Sequence, residues 1–356
     1  MSKRLHRSLW WSWLVSVLAT LPLGLVLVSA PASATPSGLP TLVLDWLSDR
    51  PPLPPNPGAM VAPQVVNIST KFGYNNAVGA GTGIVIDPSG FVLTNNHVIS
   101  GATAISAFDV GNGKTYGVDV VGYDRTQDVA VLQLRDANNL PTAIIDGDVV
   151  IGEPIVALGN TGGQGGQPSV LRGRVVALNQ TVQAFDALTG AQETLSGLIQ
   201  IDAPIKPGDS GGPVVNSDGQ VVGMNTAATD NYKMLGGQGF AIPIGRAMRI
   251  VGAIRSGAGS KTIHIGPTAF FGLGVVDNNG NGVRVVRVVE TGPARAAGIS
   301  VGDFITSVDG VSVNGATTMA DVLVPHHPGD TVVVNYHVAG GSNRTANVTL
   351  AEGPPA

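Results

Sequence analysis

Beyond residue 60 the chain is a succession of short apolar runs punctuated by turn residues. Residues 83–86 and 91–94 flank Asp87-Pro88-Ser89-Gly90, which predicts a hairpin. Further apolar runs follow at 118–122, 129–134, 154–159, 173–178, 198–201 and 213–215. A turn at Asp218-Gly219 leads into 221–224. Many strands at this spacing, with no long helix between them, imply an antiparallel sandwich or a pair of barrels.

The helical period first appears late. Ile244, Ala247, Met248, Val251 and Ile254 share one face, and Arg246, Arg249 and Arg255 lie elsewhere on the wheel. Ser256-Gly257-Ala258-Gly259-Ser260 ends that helix and reads as a linker. The pattern divides the chain into a leader at 1–34, a Pro-rich tether at 35–60, a β-rich domain at 61–256, a linker at 257–263 and a smaller module at 264–352. The tether, with Arg50-Pro51-Pro52-Leu53-Pro54-Pro55, is expected to run extended with little core of its own.

Composition sharpens this picture. With 5% aromatic residues, the sheets must be built from Val, Ile and Leu, and 49 glycines argue for tight turns. A net charge of −4, with no basic block in the body of the chain, gives no grip on nucleic acid or acidic lipid. The absence of cysteine excludes a thiol nucleophile, Cys-based zinc sites and iron–sulfur ligation, but leaves the compartment open. The N-terminus bears on the compartment. Basic Lys3, Arg4, His6 and Arg7 precede an apolar run over 9–29 and the small-residue pattern Ala32-Ser33-Ala34. This predicts an export signal removed after Ala34, with an uncleaved membrane anchor as the alternative. Either way the remaining chain is expected outside the cytoplasm, in the envelope or the medium.

Three segments carry the chemistry: Thr94-Asn95-Asn96-His97-Val98-Ile99, Asp124-Arg125-Thr126-Gln127-Asp128, and Gly208-Asp209-Ser210-Gly211-Gly212-Pro213. A serine hydroxyl attacks poorly until a base takes its proton, and a neutral imidazole can accept that proton and return it to the leaving amine. A carboxylate on the other ring nitrogen holds the imidazole in one tautomer. His97, Asp128 and Ser210 supply these roles, in one of the chain orders in which the constellation recurs. Gly208 and Ser210 are expected to donate the two amides of an oxyanion hole, with Asp209 fixing the turn between them. His264, His326-His327 and His337 form no metal-ligand pattern, so no metal or cofactor is implied. No phosphate loop for energy-driven unfolding is present either.

The TNNHVI, DVAVL and GDSGGP segments resemble trypsin-like serine proteases of the HtrA (Deg) family. Leu158-Gly159-Asn160 and Gly239-Phe240-Ala241-Ile242-Pro243 match as well. The resemblance implies a mainly β fold, a chymotrypsin-like double β-barrel with its active site between the barrels, followed by a small α+β domain. It assigns the carboxylate to Asp128, directly before an apolar run, rather than to the rival Asp124. One departure is the Gly-rich stretch Thr161-Gly162-Gly163-Gln164-Gly165-Gly166, where relatives carry a Pro-containing turn; a mobile loop is expected there. The position six residues before Ser210 is Pro204, beside Ile205, and Met224, Asn225 and Thr226 are expected to wall the substrate pocket. With no acidic residue at its base, the pocket is expected to favour Val, Ala or Leu before the cleaved bond.

The second module resembles a PDZ domain in its order of elements. That resemblance implies capture of peptide C-termini by strand addition at Gly272, Leu273, Gly274 and Val275, with Met319, Ala320 and Leu323 lining an apolar pocket. Thr318 is expected to cap the pocket helix, and loop 230–237 to receive a signal from the groove. The implied partners are unfolded proteins and peptide C-termini, and relatives form trimers. A latent protease acting as a chaperone or peptide-binding protein is the alternative reading.

Overall fold

A computed structural model describes residues 57–356 apart from 75, 186–191, 229–238 and 339–340, together with a two-residue strand at Val15–Ser16. Apart from Val15–Ser16, the predicted export signal, most of the tether and all of loop 230–237 therefore lie outside the described residues. Pro57–Val61 (α1) is a short helix whose Pro57, Gly58 and Val61 are buried, so the end of the tether packs on the body rather than running free.

Six strands close the first barrel: Val65–Phe72 (β1), Ala77–Val85 (β2), Phe91–Thr94 (β3), Ala104–Asp109 (β4), Thr115–Asp124 (β5) and Val129–Leu134 (β6). Their ring order is β5-β4-β1-β2-β3-β6, shut by β6 on β5. The second barrel repeats the plan with Pro154–Gly159 (β7), Ser169–Phe185 (β8), Gln192–Ile201 (β9), Pro213–Val215 (β10), Val221–Ala228 (β11) and Gly239–Pro243 (β12). There the order is β8-β9-β12-β11-β10-β7, shut by β7 on β8.

The strand period of two explains why the apolar runs are continuous rather than alternating. Ala130, Leu132 and Leu134 point into the first barrel, whereas Val129 and Val131 point into the core between the barrels. In β7, Ile155 and Ala157 fill the second barrel while Val156 and Leu158 join that same shared core. Each strand is thus buried on both faces. The helix Ile244–Arg255 (α3) seals the shared core with Ile244, Ala247, Ile250, Val251 and Ile254. Its ends tie down both barrels. Arg246 donates to the carbonyls of Ser196 and Gly197, and Arg255 pairs with Asp87 at 3.0 Å while lying over the Phe91 ring.

The linker is not a passive spacer. Ile263–Ile265 (β13) pairs antiparallel with β5, setting His264 opposite Tyr123, so this stretch extends the sheet of the first barrel. The second module follows as Thr268–Phe270 (β14), Leu273–Asp277 (β15), Val283–Val288 (β16), Pro293–Ala296 (α4), Phe304–Val308 (β17), Val311–Ser312 (β18), Ala316–Asp321 (α5), Thr331–His337 (β19), Asn343–Thr349 (β20) and Ala351–Gly353 (β21). Its main sheet runs β15-β16-β17-β19-β20, leaving β15 at an edge. Thr318 sits inside α5 rather than before it, its hydroxyl meeting the amides of Asn314 and Gly315.

The two parts share a joint. His264 is buried, with Nδ1 2.7 Å from the Val324 carbonyl and Nε2 3.1 Å from that of Pro267. The Tyr123 ring lies tilted against the same imidazole at 5.1 Å, and Tyr74 stacks on Phe270 at 5.4 Å. Asn96, which opens the helix Asn96–Ile99 (α2), and Gly101 just after it donate to the carbonyls of Ala356 and Pro355.

Candidate active site

Register brings the three expected residues together. Thr94 pairs with Ala130, so the chain leaving β3 toward His97 and the chain entering β6 from Asp128 emerge at the same end of that pair. Pro213 pairs with Met224, so the loop ahead of β10 lies beside Asn225 and Thr226 in β11. His97 occupies the first turn of α2, and Ser210 stands at the tip of the loop.

The Asp128 carboxylate is the electrostatic centre. His97 Nδ1 lies 2.9 and 3.0 Å from its two oxygens, and the His97 backbone N–H donates to it at 3.0 Å. The Thr226 hydroxyl adds a hydrogen bond of 2.5 Å to Oδ2. Asp128 is buried and adopts φ 54°, a left-handed conformation costing a non-glycine residue on the order of 1 kcal/mol. Two contacts hold it there: Asn95 Nδ2 donates to its carbonyl at 3.0 Å, and its own N–H reaches the Arg125 carbonyl at 3.2 Å. The rival Asp124 is engaged elsewhere, by the hydroxyls of Thr126 and Thr262 and the Gln127 amide.

The nucleophile loop is fixed from several sides. The Ser210 hydroxyl donates to the Thr226 carbonyl at 3.3 Å. Thr226 thus touches the carboxylate with its side chain and the serine with its backbone. The amides of Gly208 and Ser210 have no hydrogen-bond partner among the described residues, whereas the Asp209 amide is taken by the Lys206 carbonyl at 3.0 Å. Gly208 (φ 96°) leaves no space for a side chain, since a Cβ would stand 2.2 Å from the Asn160 carbonyl oxygen. The Asp209 carboxylate is buried against the Thr161 hydroxyl (2.7 Å), the Ser169 hydroxyl (3.2 Å) and the Lys206 amide (2.8 Å). Burial outweighs these donors and raises its pKa above the ordinary carboxylate value.

The Gly-rich stretch after Asn160 was expected to be mobile, yet it is tied at both ends. Gly162 N–H donates to the Pro207 carbonyl, Gly165 N–H to Asn160 Oδ1, and Asn67 Nδ2 to the Gly166 carbonyl, each at 2.8 Å. The glycines contribute only backbone groups to these ties, so their residue type gives no hint of them.

The expected pocket residues need correction. Met224 is fully buried in the shared core between the barrels, and Ile205 is packed in the core of the second barrel. Neither side chain is free to wall a cleft. Asn225 is buried too, with Nδ2 bonded to the Leu158 carbonyl at 3.1 Å, and Thr226 is engaged with Asp128. Of the five, Pro204 alone is exposed.

In the second module, Gly272 (φ 78°) turns the chain into β15, whose Leu273, Gly274 and Val275 are half-buried at the sheet edge. Leu323 and Ala320 are half-buried, and Leu323 packs against the same cluster as Leu273 and Val275. Met319 is buried in the module's core, which removes it from the expected groove lining. The module's core draws in the longest apolar side chain of α5. Sequence reasoning missed the roles of Thr82, Asn95 and Arg125, whose contacts to the site span 33 to 128 positions in the chain, apart from the local Arg125–Asp128 turn.

Comparison with known proteins agrees with this architecture. Residues 81–224 match the trypsin-like peptidase domain family, and residues 269–350 match the PDZ domain family. The chain is 33% identical over 314 residues to serine protease PepD of Mycobacterium tuberculosis, covering 83% of this chain and 65% of that protein. It is 35% identical over 291 residues to serine protease Do-like HtrA of Lactobacillus helveticus, covering 76% of this chain and 68% of that one. The solved serine endoprotease from Yersinia pestis is 29% identical, covers 85% of this chain and 99% of its own, and superposes with a TM-score of 0.47. With its two β-barrels and the sheet module behind them, the chain belongs to the HtrA family of trypsin-like serine proteases carrying a PDZ domain.

Proposed function

We propose that the chain hydrolyses peptide bonds of unfolded proteins outside the cytoplasm through an acyl-enzyme on Ser210. The observation that carries this is the Asp128 carboxylate, which meets His97 Nδ1 at 2.9 Å and also accepts from the His97 amide and the Thr226 hydroxyl. A carboxylate facing Nδ1 fixes the proton on that nitrogen, so the lone pair of Nε2 is left to act as base. His97 then takes the Ser210 proton as the oxygen attacks the carbonyl carbon, and returns it to the departing amine. Water repeats the sequence on the ester. The free amides of Gly208 and Ser210 are suited to the oxyanion of both tetrahedral intermediates.

Specificity follows from what is missing near the nucleophile loop. Asp209 is turned into the protein, and the position six residues before Ser210 is Pro204, so neither offers a carboxylate to a basic side chain. We therefore assign a preference for small or medium apolar residues before the cleaved bond. The edge strand β15, beside half-buried Ala320 and Leu323, is suited to pairing with a peptide C-terminus. Periplasmic DegP-like proteases of Halomonas elongata and Pseudomonas savastanoi are among the relatives, which supports an extracytoplasmic site of action.

The test is degradation of unfolded casein by the chain from Thr35 onward, beside Ser210→Ala. Casein loss that disappears in the variant, with a serine-directed phosphonate labelling only the parent, is the expected result. Equal labelling of both proteins, or none, would move the reading to a latent binding protein.

A further inference from the structure

We infer that Thr82 is a positioning residue that holds the oxyanion hole in shape from across the barrel interface. The proposal rests on the serine-protease reading of Ser210 given above. Thr82 lies in β2 of the first barrel, fully buried, 128 positions from the nucleophile. All three of its polar groups, the amide, the carbonyl and the hydroxyl, are engaged at the junction in four hydrogen bonds. Its N–H donates to the Ser210 carbonyl at 2.8 Å, and its hydroxyl donates to the Gly208 carbonyl at 2.7 Å. The same hydroxyl accepts from the Asn160 amide at 2.9 Å, and the Thr82 carbonyl accepts from the Thr94 hydroxyl at 2.7 Å.

The consequence is geometric. In a trans peptide the carbonyl and the amide of the next residue point in opposite directions, so fixing one aims the other. The Pro207 carbonyl is held by Gly162 N–H, and this aims the Gly208 amide the other way. The Asp209 carbonyl is held by Gly212 N–H, and this aims the Ser210 amide. The other two carbonyls of this run, of Gly208 and Ser210, both go to Thr82. Four consecutive carbonyls are therefore tied to neighbouring donors, and Thr82 supplies two of those ties.

The tie matters because Gly208, at φ 96°, has glycine's freedom. Nothing in its own side chain resists a rotated peptide, so resistance must come from partners. The backbone bond from Thr82 to Ser210 would survive any substitution except proline. The bond to Gly208 depends on a hydroxyl, and that one hydroxyl touches both walls of the site, the Asn160 turn and the nucleophile loop. Gly211 is pressed into the same corner, where a Cβ would stand 2.0 Å from the Thr82 carbonyl oxygen.

The experiment compares Thr82→Val, which keeps the shape and removes the hydroxyl, with Thr82→Ser, which keeps the hydroxyl, in the chain from Thr35 onward. Ser210→Ala runs beside them; if it still degrades casein as the parent does, the serine reading fails independently of Thr82. Thr82→Val is expected to lower kcat on an apolar reporter peptide by about 10²-fold with KM within about threefold, because ground-state binding does not use the hole. Affinity for a peptide boronate, whose tetrahedral adduct does use it, should fall in parallel with kcat/KM. Thr82→Ser should restore both to within about threefold of the parent. Should Thr82→Val not fold, Thr82→Ala is read by the same ratio of boronate affinity to KM. Unchanged kcat in the folded hydroxyl-less variant, equal losses in kcat and in substrate binding, or failure of serine to rescue would each overturn the proposal.

Discussion

The Arg125 guanidinium lies 2.9 Å from the Asp321 carboxylate, joining the turn that enters Asp128 to the last residue of α5 in the PDZ module. Arg125 also accepts the Asp128 amide on its carbonyl, so one residue touches the triad segment with its backbone and the peptide-binding module with its side chain. The Asp321 side chain is about half exposed, which limits the pair to about 1 kcal/mol. A coupling of that size changes a rate by about fivefold. If a peptide on β15 displaces α5, it must break this pair. Asp321→Asn should then raise the unstimulated rate by up to about fivefold and leave the peptide-stimulated rate alone. Casein degradation with and without a hydrophobic C-terminal peptide measures it, and an unchanged ratio of the two rates would remove the coupling role.

Asp128 and Thr226 make a graded pair of tests. Asp128→Asn keeps the size of the side chain but presents an amide to His97, so kcat should fall by about 10⁴-fold at neutral pH. Thr226→Val removes one hydroxyl donor from the carboxylate and leaves the backbone carbonyl that meets Ser210. Its cost should be about tenfold in kcat, the lower end for a hydrogen bond to a charged group. Equal losses in the two variants would mean that Thr226 does more than steady Asp128.

Much of this site was legible in the sequence because its residues sit at the ends of strands with sharp boundaries. The runs at 91–94, 129–134, 154–159 and 213–215 are strands with those same limits, each apolar and bounded by turn formers. Two strands of the first barrel went unread: β4, where Ser106 and Asp109 break the apolar run, and β1, whose second half is Ser69-Thr70-Lys71. What sequence could not show is contact across distance. Thr82, Asn95 and Thr226 act on Gly208 and Asp128 from 126, 33 and 98 positions away. The pocket failed for the same reason. An offset counted back from Ser210 found Ile205 but could not tell that the loop after β9 folds its side chain into the core of the second barrel.

Met319 and Leu323 separate core from groove. Met319 lies in the PDZ core, so Met319→Ala should destabilise that module by about 2–4 kcal/mol while the folded fraction still binds peptide. Leu323 is half-buried beside Leu273 and Val275, and Leu323→Ala should weaken binding of an apolar C-terminal peptide with a smaller loss of stability. Denaturant titration and peptide binding on both variants decide the assignment. A Met319→Ala protein of parental stability that binds no peptide would return Met319 to the groove.

Asp209 gives the loop a signature in pH. Its carboxyl is raised chiefly by burial, with the Thr161 and Ser169 hydroxyls and the Lys206 amide pulling the other way. The folded chain therefore keeps this proton to a higher pH than the unfolded chain does. Between the ordinary aspartate value of about 4 and the raised one, the folded state binds more protons, so this residue's contribution falls as pH rises and levels off above the raised value. Asp209→Asn cannot titrate, and its carbonyl can still accept from Thr161 and Ser169. The stability of the parent relative to Asp209→Asn should therefore be greatest near about pH 3.5 and decline toward neutrality. Denaturant unfolding of both proteins at a series of pH values measures the difference. A difference that grows with pH would show that the three donors outweigh burial, and that the carboxylate form is the one the nucleophile loop is built around.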